Sequence, residues 1–311
     1  MNTQSNAVPE SSLDSQVTAP AAISATRPMY WSVRRELWEN RSIYIAPLAV
    51  AVVFLFGFLV STITLPHRMR AVLALAAAKQ RVAIEMPYDM VAGLIVVTAF
   101  LVGFFYCLDA LHGERRDRSI LFWKSLPVSD LTTVLSKASI PIIVLPLLIF
   151  GLIVTTQLIM LMLNSVVLLG NGPAVATLWA RLPFVQLPLA LLYAVVAMAL
   201  WHAPIYGWLL LVSGWARRAT FLWAVFPPLA ICIFEQIAFR TMYFAKFLGY
   251  RLTGWFPQAF VVPVKGSSPH DPLAALTPGK FLSTPGLWIG LAFAAAFFAA
   301  AVRLRRYREP I

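Results

Sequence analysis

Long, almost uninterrupted apolar segments are the feature that most constrains the fold of this 311-residue chain. Residues 49–60 and 142–152, for example, are almost continuously apolar. A helix needs roughly 20 apolar residues to cross about 30 Å of hydrocarbon, and it satisfies its backbone hydrogen bonds internally. Because 60% of the residues are hydrophobic and 12% are charged, the sequence predicts an integral membrane protein.

Six segments are long and apolar enough to span a bilayer. We place them at residues 43–65, 90–111, 139–163, 184–213, 219–239 and 287–302. A transmembrane barrel would show segments of roughly ten residues that alternate between apolar and polar side chains, which these segments do not. The predicted fold class is therefore all-α, a polytopic transmembrane helical bundle of about six spans.

The positions of lysine and arginine predict the orientation of the bundle, because short cytoplasmic loops keep positive charge. The strongest indicators are the Arg217 and Arg218 turn and the basic tail, residues 303–311. Both termini and the 112–138 loop are therefore predicted to be cytoplasmic. The net charge of +12 is spread along membrane edges, not gathered in one module. It predicts contact with membrane lipid headgroups and no nucleic-acid partner.

The chain before the first span divides into two parts. Residues 1–28 are rich in Ser, Thr, Ala and Pro and predict a disordered cytoplasmic tail. Residues 29–42 predict an interfacial amphipathic helix, with Tyr30, Val33 and Leu37 on one side. Beside and opposite these apolar residues lie Trp31, Trp38, Arg34, Arg35 and Glu39. A passive membrane anchor and an element that relays movement from a partner are equally compatible with this pattern.

Motifs of enzymes and metal sites are missing from the sequence. Neither GxSxG nor HExxH occurs, and GxxxxGK[ST], the phosphate-binding loop of many ATPases, is absent. Cys107 and Cys232 both fall in apolar segments, where small buried hydrophobic residues are common. We expect no metal site, no directly bound cofactor and no ATP hydrolysis by this chain alone.

Three polar residues in the predicted spans are candidates for lining a pathway, because an unpartnered polar group in hydrocarbon is destabilising. They are Gln157, His202 and Glu235. For His202 a packing role and a pathway role are equally compatible with the sequence. For Glu235, local pairing with Arg240 near the outer surface is favoured over a substrate site.

The 112–138 loop carries a pattern suited to docking something outside the membrane. A charged cluster is followed by an apolar and aromatic patch at 120–123 and a turn at Pro127. The charged residues are Glu114, Arg115, Arg116, Asp117 and Arg118, and the aromatic residues are Phe122 and Trp123. Ser129 followed by Asp130 predicts a capped helix start that carries Lys137 into the third span.

This loop resembles that of the ABC-2-type permease family, in which a Glu-Arg cluster after the second span precedes a coupling segment, Leu-Pro and a later Lys. The matching residues are Glu114, Arg115, Arg116, Leu126, Pro127 and Lys137. The interfacial helix with Arg34, Arg35, Glu36 and Leu37, the six spans and the long external segment at 240–286 are similar too.

The resemblance implies a permease subunit of a bacterial inner-membrane exporter, spanning residues 43–302. Its partners would be two copies of a cytoplasmic ATPase that binds ATP and Mg²⁺, and a second, identical or related permease. Residues 117–126 would form the coupling element, with Phe122 and Trp123 as apolar anchors and Arg115, Arg116 and Arg118 as charged contacts.

Two further expectations complete the sequence interpretation. The 240–286 segment predicts partial re-entry into the membrane or a cap over the outer exit, with a loop over 263–286. The few charges in the spans favour an amphiphilic cargo over a hydrated ion. A membrane scaffold or sensor that uses the same loop without transport is the alternative function.

Overall fold

The fold of the chain is described by a computed structural model over residues 26–119, 122, 128–170, 172–181, 185–261 and 272–307. These residues form helices and connecting turns without a β-strand, apart from one isolated bridge between Phe260 and Leu276. Six helical segments are long and apolar enough to cross a bilayer. The all-α bundle is confirmed, and the chain is a multi-pass membrane protein.

The α-helices are numbered in chain order. They are α1 (Thr26–Glu39), α2 (Ser42–Ser61), α3 (Leu65–Leu73), α4 (Ala77–Ala110), α5 (His112–Arg116), α6 (Asp130–Ser139), α7 (Leu145–Val167), α8 (Gly172–Arg181), α9 (Gln186–Trp215), α10 (Thr220–Phe239), α11 (Tyr243–Thr253), α12 (Trp255–Ala259), α13 (Pro278–Ser283) and α14 (Pro285–Tyr307). A 3₁₀ turn, Thr62–Thr64, connects α2 to α3, and a π-helical turn, Ile140–Val144, joins α6 to α7.

The second and third spans begin well before the apolar segments that the sequence predicts. Helix α4 begins at Ala77, thirteen residues before the predicted start at residue 90. Its polar first part is supported by an i,i+4 ion pair of 2.7 Å between Arg81 Nε and Glu85 Oε1. The third span begins at Asp130 and runs through the π-helical turn to Val167. Hydropathy detects the apolar part of a helix and misses its polar extension.

Helix α9 is the centre of the bundle. Of its most apolar stretch 72% is buried, compared with 6% for α10. It packs most extensively against α14, and the two backbones approach closely at Gly207. A Cβ at Gly207 would lie 3.3 Å from the Ala294 carbonyl oxygen. Helix α10 instead leaves most of its apolar surface to lipid or to another chain.

One end of the bundle, which we call the charged end, brings together α1, α5, the start of α6 and the last turn of α14. Arg35 of α1 and Arg305 of α14 both pair with Glu114 of α5. The interfacial helix, the loop after the second span and the end of the last helix therefore lie on the same side. This arrangement matches the predicted topology, in which these three regions share one face of the membrane.

The opposite region, the aromatic end, consists of α11, α12 and α13 packed on α9 and on the start of α14. Trp201 Nε1 donates a 3.1 Å hydrogen bond to the Arg251 carbonyl of α11. Trp201 follows the start of α9 by fifteen residues, or about 22 Å along the helix. The segment after α10 therefore turns back to the middle depth of the bundle, which agrees with the predicted partial re-entry of the 240–286 segment.

The predicted loop over 263–286 is wrong in part. Residues 262–271 lie outside the described residues, but Pro278–Ser283 is helical. Proline is well suited to a first helical position because it has no N–H to leave unpaired. The first turn of this helix is stabilised by a 3.0 Å hydrogen bond from Phe281 N to the Thr277 carbonyl oxygen.

Candidate functional site: the charged end

Helix α1 places an acidic residue in the interior. Val33 and Leu37 pack on the core as predicted, and Glu36 is completely buried beside them. Tyr30, predicted on the same side, is exposed instead. On the outer surface the Arg34 guanidinium lies 5.2 Å from the Trp31 ring and 4.6 Å from the Trp38 ring. Helix α1 is therefore anchored to the bundle through the buried Glu36, and its outer face carries a cation–π stack.

Three side chains satisfy the Glu36 carboxylate. Lys137 Nζ lies 2.8 Å and Arg35 Nη2 2.7 Å from Oε1, while the Tyr106 hydroxyl donates a 2.8 Å bond to Oε2. Burial raises the pKa of the Glu36 carboxyl, but the charge and hydrogen bond of Lys137, with Arg35 and Tyr106, outweigh it. The net pKa lies below its ordinary value of 4.5. Glu36 therefore remains charged inside the protein.

Glu114 is the second acidic centre. Arg35 Nη2 lies 2.8 Å and Lys137 Nζ 3.1 Å from its Oε1, and Arg305 Nη1 pairs with its Oε2. Arg305 Nε also contacts Asp130 Oδ1 at 3.2 Å. We call this set the ion cluster; it comprises Arg35, Glu36, Glu114, Asp130, Lys137 and Arg305. Its three acids and three bases balance, which is how buried charges persist in an apolar interior. At the surface, Arg35 Nε also lies 3.5 Å from Oε2 of the exposed Glu39.

A second set of bonds holds α5 against the end of α9. Arg115 Nη1 donates a 2.8 Å bond to the Gly214 carbonyl. The Ser213 hydroxyl accepts bonds from the backbone N–H groups of Leu111, at 3.0 Å, and His112, at 2.9 Å. The last turn of a helix leaves carbonyl groups unpaired, and Arg115 satisfies one of them. The turn after the second span is thus fixed to the central helix.

Helix α6 starts as the sequence predicts. The Ser129 hydroxyl accepts a 3.1 Å bond from Thr132 N, and Asp130 stands in the first turn. The helix continues through the π-helical turn into α7, so Lys137 is rigidly connected to the third span. The predicted capped helix start is confirmed.

The predicted coupling residues divide into buried and exposed groups. Glu114, Arg115 and Lys137 are buried and bonded within the chain. The interpretation of Arg115 as a charged surface contact is therefore corrected, because its guanidinium binds α9. Arg116, Asp117 and Arg118 are exposed, and Phe122 is 60% exposed. Trp123, Leu126 and Pro127 lie outside the described residues.

All three pathway candidates make polar contacts that connect one helix to another. Gln157 Nε2 of α7 donates a 3.2 Å bond to the Tyr88 carbonyl of α4. Glu235 accepts bonds from Thr241 Oγ1 (2.7 Å), Tyr243 N (2.7 Å) and Phe244 N (2.8 Å). The predicted pairing of Glu235 with Arg240 is wrong, because the carboxylate instead caps the first turn of α11.

His202 is buried between α9 and α11. Its Nδ1 lies 2.8 Å from the Met198 carbonyl oxygen, and its Nε2 lies 3.1 Å from the Leu252 carbonyl oxygen. A neutral imidazole has one N–H and can donate to only one of these two acceptors. His202 therefore connects the re-entering segment to the central helix, which is compatible with packing and with a pathway role.

Arg251 of α11 was missed by sequence reasoning, which assigned it to an external segment. It is only 6% exposed, at the level of Trp201, whose ring lies 5.0 Å from the guanidinium carbon. Nη2 donates a 2.7 Å bond to the Gly286 carbonyl, while Nη1 is buried without a hydrogen-bond partner. No described carboxylate pairs with it. The available signal was a lone arginine within an apolar and aromatic stretch.

Sequence reasoning also missed the partners of the ion cluster. Tyr106 lies 70 residues from Glu36, and Arg305 lies 191 residues from Glu114 and 175 from Asp130, so no periodicity connects them. Within the described part of the chain, His, Cys, Asp and Glu side chains do not gather in groups of three or more that could hold a metal ion.

A scan of known protein families, a search of curated proteins and a search of solved structures find no match to this chain.

Proposed function

We propose that this chain is the permease subunit of an ABC-2-type exporter in a bacterial cytoplasmic membrane. It would form the transmembrane pathway with a second, identical or related permease. Two copies of a separate cytoplasmic ATPase would bind ATP and Mg²⁺ and supply the energy. The cargo we propose is amphiphilic, because charged side chains are rare in the spans.

The observation that carries this proposal is the connection between the exposed loop and the ion cluster. Arg116 to Arg118 directly follow Glu114 and Arg115, both of which are fixed inside the bundle. A force on the exposed residues would reach α1 through Arg35, α6 and α7 through Lys137, and α14 through Arg305. Because each charge has partners at hydrogen-bond distance, this joint resists deformation and is suited to transmit movement.

The side of the membrane that bears the loop also supports the proposal. The charged end carries basic residues of α1, of the loop, of the 216–219 turn and of α14. Positive loops stay in the cytoplasm, which is where an ATPase with bound ATP would meet Phe122 and its neighbours. A scaffold or sensor would dock its partner on the same surface. The two functions therefore differ in whether docking moves the spans, and not in where the partner binds.

The decisive experiment is to co-express the chain with an ABC ATPase encoded beside its gene and to reconstitute the pair in lipid nanodiscs. Co-purification and ATP turnover are measured for the native chain and for a Phe122→Ala, Trp123→Ala variant. Phe239→Ala is the matched control, since this aromatic side chain is 68% exposed. It lies at the end of α10 that is farther from the charged end. Export would be followed with fluorescent amphiphiles in proteoliposomes.

Each result has a defined meaning. Release or uncoupling of the ATPase by the loop variant, with normal behaviour of Phe239→Ala, supports the permease. Stable binding without any effect of the chain on turnover favours the scaffold. If no ATPase binds, or if the loop variant behaves as the native chain, the docking proposal is wrong.

A further inference from the structure

A groove of about 770 Å³ opens at the charged end between the start of α6 and the last turns of α14. Val128, Ser129 and Leu131 line one side. The other side is lined by α14, from Ala299 to Tyr307. This volume falls within the range of roughly 300–1,000 Å³ that ligand pockets occupy.

The α14 side of the groove has an ordered polarity. Ala299, Val302, Arg303 and Arg306 follow the spacing i, i+3, i+4 and i+7, so they share one face of the helix. The apolar pair lies deeper in the span, and the two arginines lie nearer its end. The groove is therefore apolar where acyl chains lie and cationic where headgroups lie.

Arg303 and Arg306 are the uncommitted charges of the groove. Both are exposed, and neither makes an ion pair with a described residue. Arg305, between them, is buried and already neutralised by Glu114 and Asp130. Asp130 is the acidic residue that lines the groove, and its carboxylate binds Arg305. Because Arg305 and Asp130 neutralise each other within the ion cluster, Arg303 and Arg306 give the groove an excess of two positive charges.

We propose that this groove is a binding site for an anionic phospholipid, beyond the proposed transport function. Arg303 and Arg306 bind the phosphate of the headgroup, because guanidinium groups bind phosphate oxygens with paired, charge-assisted hydrogen bonds. Leu131, Ala299 and Val302 contact the first part of the acyl chains. Basic pockets between spanning helices on the cytoplasmic side are suited to such headgroups. A bound lipid would connect α6 to α14 at the ion cluster.

The test measures lipid bound to the full chain, purified in neutral detergent, by native mass spectrometry and by titration with fluorescent phosphatidylglycerol. Phosphatidylcholine is the neutral comparison. An Arg303→Gln, Arg306→Gln variant should bind phosphatidylglycerol on the order of tenfold more weakly. The control is Arg217→Gln, Arg218→Gln, which removes the same charge from an exposed turn at the same end and should bind as the native chain does. Inorganic phosphate should not displace the lipid at equal concentration.

Three outcomes would overturn the proposal. Equal loss of binding in both double variants would mean that only general electrostatic attraction operates. Full displacement by inorganic phosphate would identify a site for a free anion. Unchanged lipid binding together with loss of a co-expressed ATPase would identify a protein contact. Because lipid binding is measured without an ATPase, failure of this proposal leaves the permease proposal separately testable.

Discussion

The two ends of the bundle are held together by different chemistry. At the charged end, six buried or partly buried charges neutralise one another across four helices. At the aromatic end, Trp201, Phe281 and their neighbours pack around Arg251, whose charge has no described counter-ion. The stability of the charged end depends on every member of the ion cluster. The stability of the aromatic end depends mainly on how closely its side chains pack.

This difference indicates which end is suited to transmit force and which to open. Breaking one member of a neutral buried network leaves a charge uncompensated. Separating aromatic surfaces costs contact area but no ion pair. We therefore expect the charged end to move as one body. The re-entering α11 to α13 segment is the part whose contacts with α9 can change most readily.

The largest effect should come from Glu114→Gln. The substitution leaves Arg35, Lys137 and Arg305 with one anion fewer, and removing one partner of a buried ion pair typically costs about 3–5 kcal/mol. Unfolding in mixed detergent micelles would measure the loss. Asp117→Asn, three residues away and exposed, is the matched control and should change little. A loss near that of the control would contradict the structural role of the cluster.

Lowering the pH should destabilise the charged end, and the loss of stability should approach that caused by Glu114→Gln. The pKa of Glu36 is lowered in the folded protein, so its stabilising contribution is complete above about pH 4.5 and is lost as the pH falls through the lower folded-state value. Thermal unfolding between pH 7 and pH 3 would follow this loss. The Glu36→Gln variant should be less stable at pH 7 and less sensitive to acid. Parallel pH curves for the two proteins would argue against the assignment.

Gly290→Ala tests the shape dependence of the aromatic end. A Cβ there would lie 2.5 Å from Arg251 Nη2 and 2.7 Å from its guanidinium carbon. Such overpacking typically costs about 1–3 kcal/mol, measurable by the same unfolding assay. Adding Arg251→Met should recover most of the loss, since the flexible thioether can move aside. Additive losses in the double variant would show that the clash is with something else.

Ser129→Ala removes the cap at the start of α6 and should cost about 1 kcal/mol. The loss arises because Thr132 N loses its acceptor. Hydrogen exchange in the first turn of α6 should accelerate while exchange in α11 stays unchanged. Ser129→Asn restores a capping oxygen and should restore protection. Equal protection in the alanine and asparagine variants would rule out the cap as the cause.

The smallest effect is expected for Arg251→Met alone, with a change of less than about 1 kcal/mol. Loss of the Gly286 bond and the Trp201 stack is offset by removal of a buried, uncompensated charge. The unfolding assay measures the difference. A loss comparable to that of Glu114→Gln would mean that the two ends do not differ as we infer.

Some features of the site were predictable because they are local. The Ser129 cap, the amphipathic α1 and the position of Lys137 after the loop depend on residues a few positions apart. Glu36 was not predicted to be buried, because its neighbours Arg34 and Arg35 indicate a polar face. Its burial depends on Lys137 and Tyr106, which only the packing of α1 against α4 and α6 brings into range.

The sequence by itself determined that this chain is a helical membrane protein with six spans, and it predicts the side on which the loops lie. Apolar length and the placement of lysine and arginine act locally against the bilayer, so they can be read without knowing any contact. Tertiary structure alone decided which charges are buried. Electrostatic compensation depends on distances between helices, and the side chains that neutralise Glu36 and Glu114 come from residues as far apart as Arg35 and Arg305.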